Sequence, residues 1–165
     1  MTLVREMTAD DLQPVSELAE QLVKLHHGWD TTRFFITKDV AKGYRGYFNS
    51  LLGDAGSLLL VAEVDGVIAG YLYGSVEDRD WAKLLDAHGA IHDIFVAETH
   101  RKHGVARALM NEARVRLQQK GAKQLVLYSA SANTQGQALF RALGYRPTMV
   151  EMTMDLTAPG AAAAR

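Results

Sequence analysis

The chain has 165 residues, 48% hydrophobic and 22% charged, with a formal net charge of -1; this allows one domain that buries roughly two thirds of its unfolded surface and lacks the basic excess that nucleic-acid binding demands. Cysteine is absent, which excludes disulfides, thiolate metal sites and a cysteine nucleophile. No run of ~18 apolar residues offers a membrane span, and residues 1–5 lack the basic and apolar regions of a signal peptide, so the expectation is a cytoplasmic protein without membrane or nucleic-acid partners.

Residues 3–7 alternate as a short strand and meet Thr8-Ala9-Asp10-Asp11, where Thr8 is a candidate helix cap followed by an acidic first turn. Leu12, Val15, Leu18, Ala19, Leu22 and Val23 then recur at spacings of three and four, the stripe of an amphipathic helix. It is expected to end near His26-His27-Gly28-Trp29-Asp30, a polar and aromatic loop. Residues 39–52 form a second helical candidate, with Val40, Tyr44 and Phe48 on one side and Gly43 and Gly46 weakening it. Residues 57–63 and 67–75 flank Asp65-Gly66 and read as a hairpin.

A strand over 90–96 leads through a loop to a helix over 105–120, whose Ala106, Leu109, Ala113 and Leu117 share one face and which Gly121 stops. Residues 124–129 read as a buried strand and 134–143 as a short helix ended by Gly144. After Pro147, residues 148–156 read as a closing strand. One domain over 1–156 and a flexible tail over 157–165 are expected. Early strands followed by strand, helix, strand, helix and strand predict an α/β protein with a mixed sheet and helices on both faces.

The chemistry concentrates between the strand over 90–96 and the helix after it. Gly104 and Ala106 are small residues at the start of that helix, where unpaired amides and the helix dipole favour an anion. Arg101, Lys102, His103 and Arg107 surround those amides with cationic or ionisable groups. A pyrophosphate suits such a loop; a solvated basic turn is the plainer alternative.

Arg101-x-x-Gly104-x-Ala106 resembles the Gln/Arg-x-x-Gly-x-Gly/Ala motif with which GNAT acetyltransferases hold the pyrophosphate of acetyl-CoA. The surroundings resemble that superfamily too: Val96 five residues before Arg101, a long helix after the motif, then Asn133, Ala138-Leu139-Phe140 and Gly144-Tyr145. Residues 91–96 and Trp81-Ala82-Lys83-Leu84-Leu85 are similar to the corresponding stretch of diamine and polyamine acetyltransferases.

The resemblance implies a mostly antiparallel sheet of six to seven strands, about four helices and a splayed parallel pair beginning at Ala90 and Gln124. It implies acetyl-CoA as co-substrate, with no metal, and a small-molecule amine as acceptor. Ile94, Phe95 and Val96 would contact pantetheine and the acetyl carbonyl, and Arg101, Lys102, His103, Gly104, Val105, Ala106 and Arg107 the pyrophosphate. Asn133, Gly136 and Phe140 would line the far wall. It also implies a homodimer formed through the late strands. The alternatives are a protein or peptide N-acetyltransferase and an acyl-CoA-binding module without catalysis.

An amine attacks a thioester only when neutral, so a proton acceptor is required. His92 is the leading candidate, since an ordinary histidine titrates near ~6.5; the competing reading is a histidine satisfied inside the sheet. Strict alternation sends His92 to one face with Ala90 and Ile94, and Asp93 to the other with Ile91 and Phe95, so both line one cleft only if a bulge intervenes. Many members of the superfamily carry a Tyr, the acid for the leaving thiolate, where this chain has Phe140. Tyr128, Ser129 and Ser131 are nearby substitutes, and Tyr145 reads as a packing residue. The aromatic cluster His26, His27, Trp29, Asp30, Arg33, Phe34 and Phe35 is the candidate acceptor pocket, with His27, Trp29 and Asp30 as its binding residues. Glu77, Asp78 and Asp80 are further carboxylates available to a cationic acceptor.

Overall fold

In the computed structural model, which describes residues 1–157, a single sheet runs in the order β1-β2-β3-β4-β5, with β1 (Thr2–Glu6), β2 (Ser57–Val64), β3 (Val67–Glu77), β4 (His88–Val96) and β5 (Leu125–Leu127). The first four strands pair antiparallel and β4 pairs with β5 in parallel. Asp65 and Gly66 both adopt positive φ, 51° and 80°, as the tight turn joining β2 to β3 requires. Among the described residues the strands number five rather than the six to seven expected: β5 covers three residues, and 148–156, exposed throughout, join no strand of the sheet.

Two helices cover each face. α1 (Leu12–Trp29) and α2 (Val40–Leu51) put Leu12, Val15, Leu18, Ala19 and Phe48 against Leu59, Val61, Tyr71 and Phe95. On the other face, α3 (Val105–Gln119) and α4 (Thr134–Ala142) pack Val105, Leu109, Met110, Ala113, Leu117 and Phe140 against Leu58, Leu60, Leu72 and Ile91. Alternation along β2 assigns Leu58 and Leu60 to one cluster and Leu59 and Val61 to the other. α1 does not stop at His26: its helical hydrogen bonding carries on through Trp29, and Asp30 closes it with a main-chain bond to His26.

Alternation fails once along β4. Tyr73 pairs with Asp93 and Gly74 with Ile91, so His92 is an extra residue in the ladder, a β-bulge. Ile91 accordingly belongs to the α3/α4 cluster and Phe95 to the α1/α2 cluster, although both are odd-numbered. Gly74, beside the bulge, allows the close approach: a Cβ there would lie 2.8 Å from the Ala90 carbonyl oxygen.

At the N-terminus Arg5 holds the buried Asp11 through contacts of 2.7 and 2.9 Å, while the Thr8 amide and hydroxyl donate to the same carboxylate. These bonds, the Arg5 pair first, hold Asp11 down to about 2 against their opposition from burial. The folded value lies below the ordinary one, so this stabilisation is complete above about pH 4 and disappears as pH falls through the folded value.

Asp11→Asn is therefore expected to reduce unfolding free energy by about 1–2 kcal/mol at pH 7, with the difference closing toward pH 2, as urea titrations at several pH values will read. Gly74→Ala must push β3 and β4 apart at a backbone oxygen and is expected to cost about 1–3 kcal/mol in the same assay.

Candidate active site

The parallel ladder between β4 and β5 ends at Ile91↔Leu127, while β4 runs on to Val96. Where the strands part, a cavity of about 770 Å³ opens, with Ile91 to Ile94 on one side and Leu127, Tyr128 and Ser129 on the other. Tyr44 and Tyr47 from α2, Tyr73 and Glu77 from β3, and His26 from α1 complete the wall facing α1 and α2. Asn133 and Phe140 lie at its other end.

The bulge decides what this wall can do. Strict alternation would separate His92 from Asp93, but the extra residue turns both toward the α1/α2 face. His92 stacks on Tyr73 with ring centroids 4.6 Å apart, and its Nε2 lies 2.6 Å from Ser75 Oγ. Asp93 is set deeper. Burial raises its carboxyl above the ordinary range, opposed by hydrogen bonds from Tyr44 and Tyr71 and by the charges of His92 and His26. One exposed imidazole and one desolvated carboxyl therefore share a wall, two proton acceptors of different character.

Burial and the neighbouring Asp93 charge push the Tyr44 and Tyr71 hydroxyls upward, so both remain protonated donors at neutral pH. Tyr73 is raised likewise, chiefly by burial and by its 3.0 Å bond with Tyr47.

The loop after β4 carries the second half of the site. Gly104 takes φ 82° and caps α3 without any side-chain hydrogen bond, so the first amides of the helix have no intrahelical acceptor. A Cβ at Gly104 would meet nothing within 4 Å, so open space lies beside those amides. Lys102, His103 and Arg107 are exposed around this terminus, and Val105 is buried beneath it. Arg101 has a different part: its Nε donates to the Val96 carbonyl at 3.0 Å and its guanidinium lies over the Phe95 ring, pinning the loop to β4. The residues fit an anion because the free amides, the helix dipole and the cations Lys102 and Arg107 lie together there, with the His103 imidazole beside them.

α4 contrasts with α3. Asn133 Oδ1 accepts from the Gly136 amide at 3.0 Å, so this N-terminus is capped by its own side chain. Asn133 still lines the cavity. Phe140 is buried against Tyr145, whose ring centroid is 6.1 Å away, and offers no proton. Tyr128 stands at the rim, 69% exposed, with Ser129 beside it; Ser131 is exposed and does not line the cavity.

Of the residues expected to form the acceptor pocket, His26, Arg33, Phe34 and Phe35 line the cavity, whereas His27, Trp29 and Asp30 do not. His27 Nδ1 bonds the Phe34 carbonyl, and Asp30 accepts from the Thr32 and Arg33 amides; neither these nor Trp29 line the cavity. The helical continuation of α1 turns His26 inward instead, edge-on to Trp29 and Phe34. Ser75 gave no sequence signal, because its importance depends on a partner 17 residues away across a bulge. Among the described residues no three His, Asp or Glu side chains are grouped to hold a metal ion, and no helix is long and apolar enough to cross a membrane.

The chain is 27% identical over 144 residues to an uncharacterised N-acetyltransferase of Methanocaldococcus jannaschii, a match covering 86% of the chain and 59% of that longer relative. Its fold is similar to that of a mutant Bacillus halodurans protein, with TM-score 0.81 and 19% identity over 93% of this chain and 99% of the other. It is similar also to an aminoglycoside N-acetyltransferase crystallised with coenzyme A, with TM-score 0.76, 19% identity and 96% of each chain covered. The model of the acetyltransferase (GNAT) family matches residues 18–145. With more than half of its length under that match, the chain belongs to the acetyltransferase (GNAT) family.

Proposed function

We propose that this protein transfers the acetyl group of acetyl-CoA to a primary amine of a small molecule, by direct attack while both substrates are bound. The observation that carries the reading is the cavity at the parting of β4 and β5, which has His92 and Asp93 on one wall. The uncapped N-terminus of α3 follows the same strand. In the proposed complex the pyrophosphate lies against the amides from Gly104 to Arg107, and the pantetheine arm runs beside Ile94 to Val96 toward the parting strands.

His92 takes a proton from the ammonium of the acceptor, the neutral amine attacks the acetyl carbonyl, a C–N bond forms and the C–S bond breaks. The amide nitrogen loses its second proton and the coenzyme A sulfur gains one, so the net products are an N-acetyl amide, free thiol and one proton. With Phe140 buried and inert, the sulfur departs as a thiolate, a reasonable leaving group because thiols titrate near ~8.5. Glu77 gives the pocket negative charge for a cationic acceptor, Asp93 adds a buried hydrogen-bonding group, and the tyrosines give it flat walls for the methylene chain of a diamine-like molecule. The aromatic and acidic lining favours such an acceptor over an extended peptide.

We also propose a homodimer. Val150, Met152, Met154 and Leu156 alternate with Glu151, Thr153 and Asp155, the pattern of a half-buried strand, yet the four apolar residues are 75–86% exposed. β5 lies at the edge of the sheet, and the matching edge of a second copy is the surface that this segment suits.

Thiol release with acetyl-CoA and a panel of diamines, aminoglycosides, amino acids and peptides is expected to show turnover with a small polyvalent amine and none with peptides. His92→Ala should lower kcat/KM by about 100-fold or more at neutral pH, and an unchanged rate would remove His92 as the base. Light scattering behind size exclusion should give twice the 18.1 kDa chain mass, and a Met152→Lys, Met154→Lys variant should give the single-chain mass with an unchanged melting curve.

A further inference from the structure

We propose that Ser75 and Glu77 on β3 are positioning residues that fix His92 with its proton on Nε2, so that Nδ1 is the nitrogen that receives the proton of the acceptor amine; this rests on the reading of His92 as the base. Ser75 is buried and its hydroxyl contacts both neighbours: it donates to Glu77 Oε1 and lies 2.6 Å from His92 Nε2. Glu77 Oε1 is itself 3.3 Å from that nitrogen.

Counting protons determines the tautomer. A carboxylate only accepts, so the single hydroxyl proton of Ser75 goes to Glu77. The lone pair of Ser75 then faces His92, and only a protonated Nε2 satisfies it. A direct contact between Glu77 and His92 makes the same demand, because an unprotonated Nε2 would set two acceptors against each other. Both partners therefore require the proton on Nε2, and in a neutral imidazole that leaves Nδ1 bare. Among the described residues no protein group bonds to His92 Nδ1, whereas the Nδ1 atoms of His26, His27 and His88 bond to main-chain carbonyls.

The groups that face His92 come from several elements. Tyr73 stacks on the ring, Glu77 lies beyond Ser75, and Asp93 follows in the chain with Tyr44 from α2, Tyr71 from β3 and His26 from α1 around it. Of these, only Glu77 forms an ion pair with the imidazole when it is protonated. Once Nδ1 takes the amine proton, the ring becomes an imidazolium whose Nε2–H still points at Ser75 and Glu77. The carboxylate favours that charged form, and the stacked Tyr73 holds the ring plane. A third group orienting a base in this way follows the logic of hydrogen-bonded catalytic chains generally.

The test is nitrogen NMR on full-length protein labelled with 15N at histidine, titrated over pH, with His92→Gln used to assign the resonance. The expected wild-type result is a His92 that, when neutral, carries its proton on Nε2 and shows a bare Nδ1. Glu77→Gln, a change at a half-exposed position, should move the acid limb of kcat/KM to lower pH. The KM for acetyl-CoA should not change. Ser75→Ala should yield a mixture of tautomers, and Ser75→Thr should restore the single one. A bare Nε2 in the wild type would overturn the proposal, as would a Glu77→Gln protein whose acid limb of kcat/KM stays where it is in the wild type. The tautomer is read without turnover, so a base other than His92 would be exposed by His92→Ala kinetics and a misassigned positioning pair by the spectrum.

Discussion

One extra residue in β4 governs the site. Because β3 offers Tyr73 and Gly74 as consecutive partners for Asp93 and Ile91, His92 has no place in the ladder and is turned to the face it would share with Asp93. The same displacement sends Ile91 to one hydrophobic cluster and Phe95 to the other, so the two cores hold the bulge in place from opposite sides of the sheet. Gly74 supplies the clearance that the bulge needs. Beyond it β4 leaves β5, a cavity opens, and Val96 anchors the loop through Arg101.

The two proton acceptors on that wall are distinguished by environment rather than by chemical type alone. Asp93 lies under Tyr44 and Tyr71, in a desolvated setting that favours the neutral carboxyl, while His92 stands at the surface of the cavity with its polar partners on one edge of the ring. In the proposed reaction a carboxyl and an imidazole so placed would divide the work of receiving an amine: one supplies hydrogen bonds in depth, the other an exposed ring nitrogen. The proposed anion-binding end rests chiefly on the main chain. An uncapped helix start and a glycine in the left-handed region suffice, and α4 shows the contrast, because Asn133 fills the same role there from within the chain.

What was legible in the sequence was local. Asp65-Gly66 defines a hairpin because both residues tolerate positive φ, and the stripe through Leu109, Ala113 and Leu117 defines α3 because helix period and burial coincide. The loop from Arg101 to Arg107 was legible for the same reason, although Arg101 proved to anchor the strand. The bulge was not, since two residues against one is a property of the pair β3 and β4. The aromatic cluster was legible in part: His26, Arg33, Phe34 and Phe35 line the cavity, but α1 continues through Trp29, and His27, Trp29 and Asp30 lie outside the lining. Residues 148–156 present the clearest alternation in the chain, but alternation specifies a face and does not supply a neighbouring strand.

The most direct measurement compares calorimetric titrations of the protein with acetyl-CoA and with S-acetylpantetheine, which keeps the thioester and lacks the pyrophosphate. If the free amides of α3 hold the pyrophosphate, acetyl-CoA binds one per chain and S-acetylpantetheine binds at least ~100-fold more weakly, the loss of about two charge-assisted hydrogen bonds. Equal affinities, or no heat with acetyl-CoA, would contradict the account.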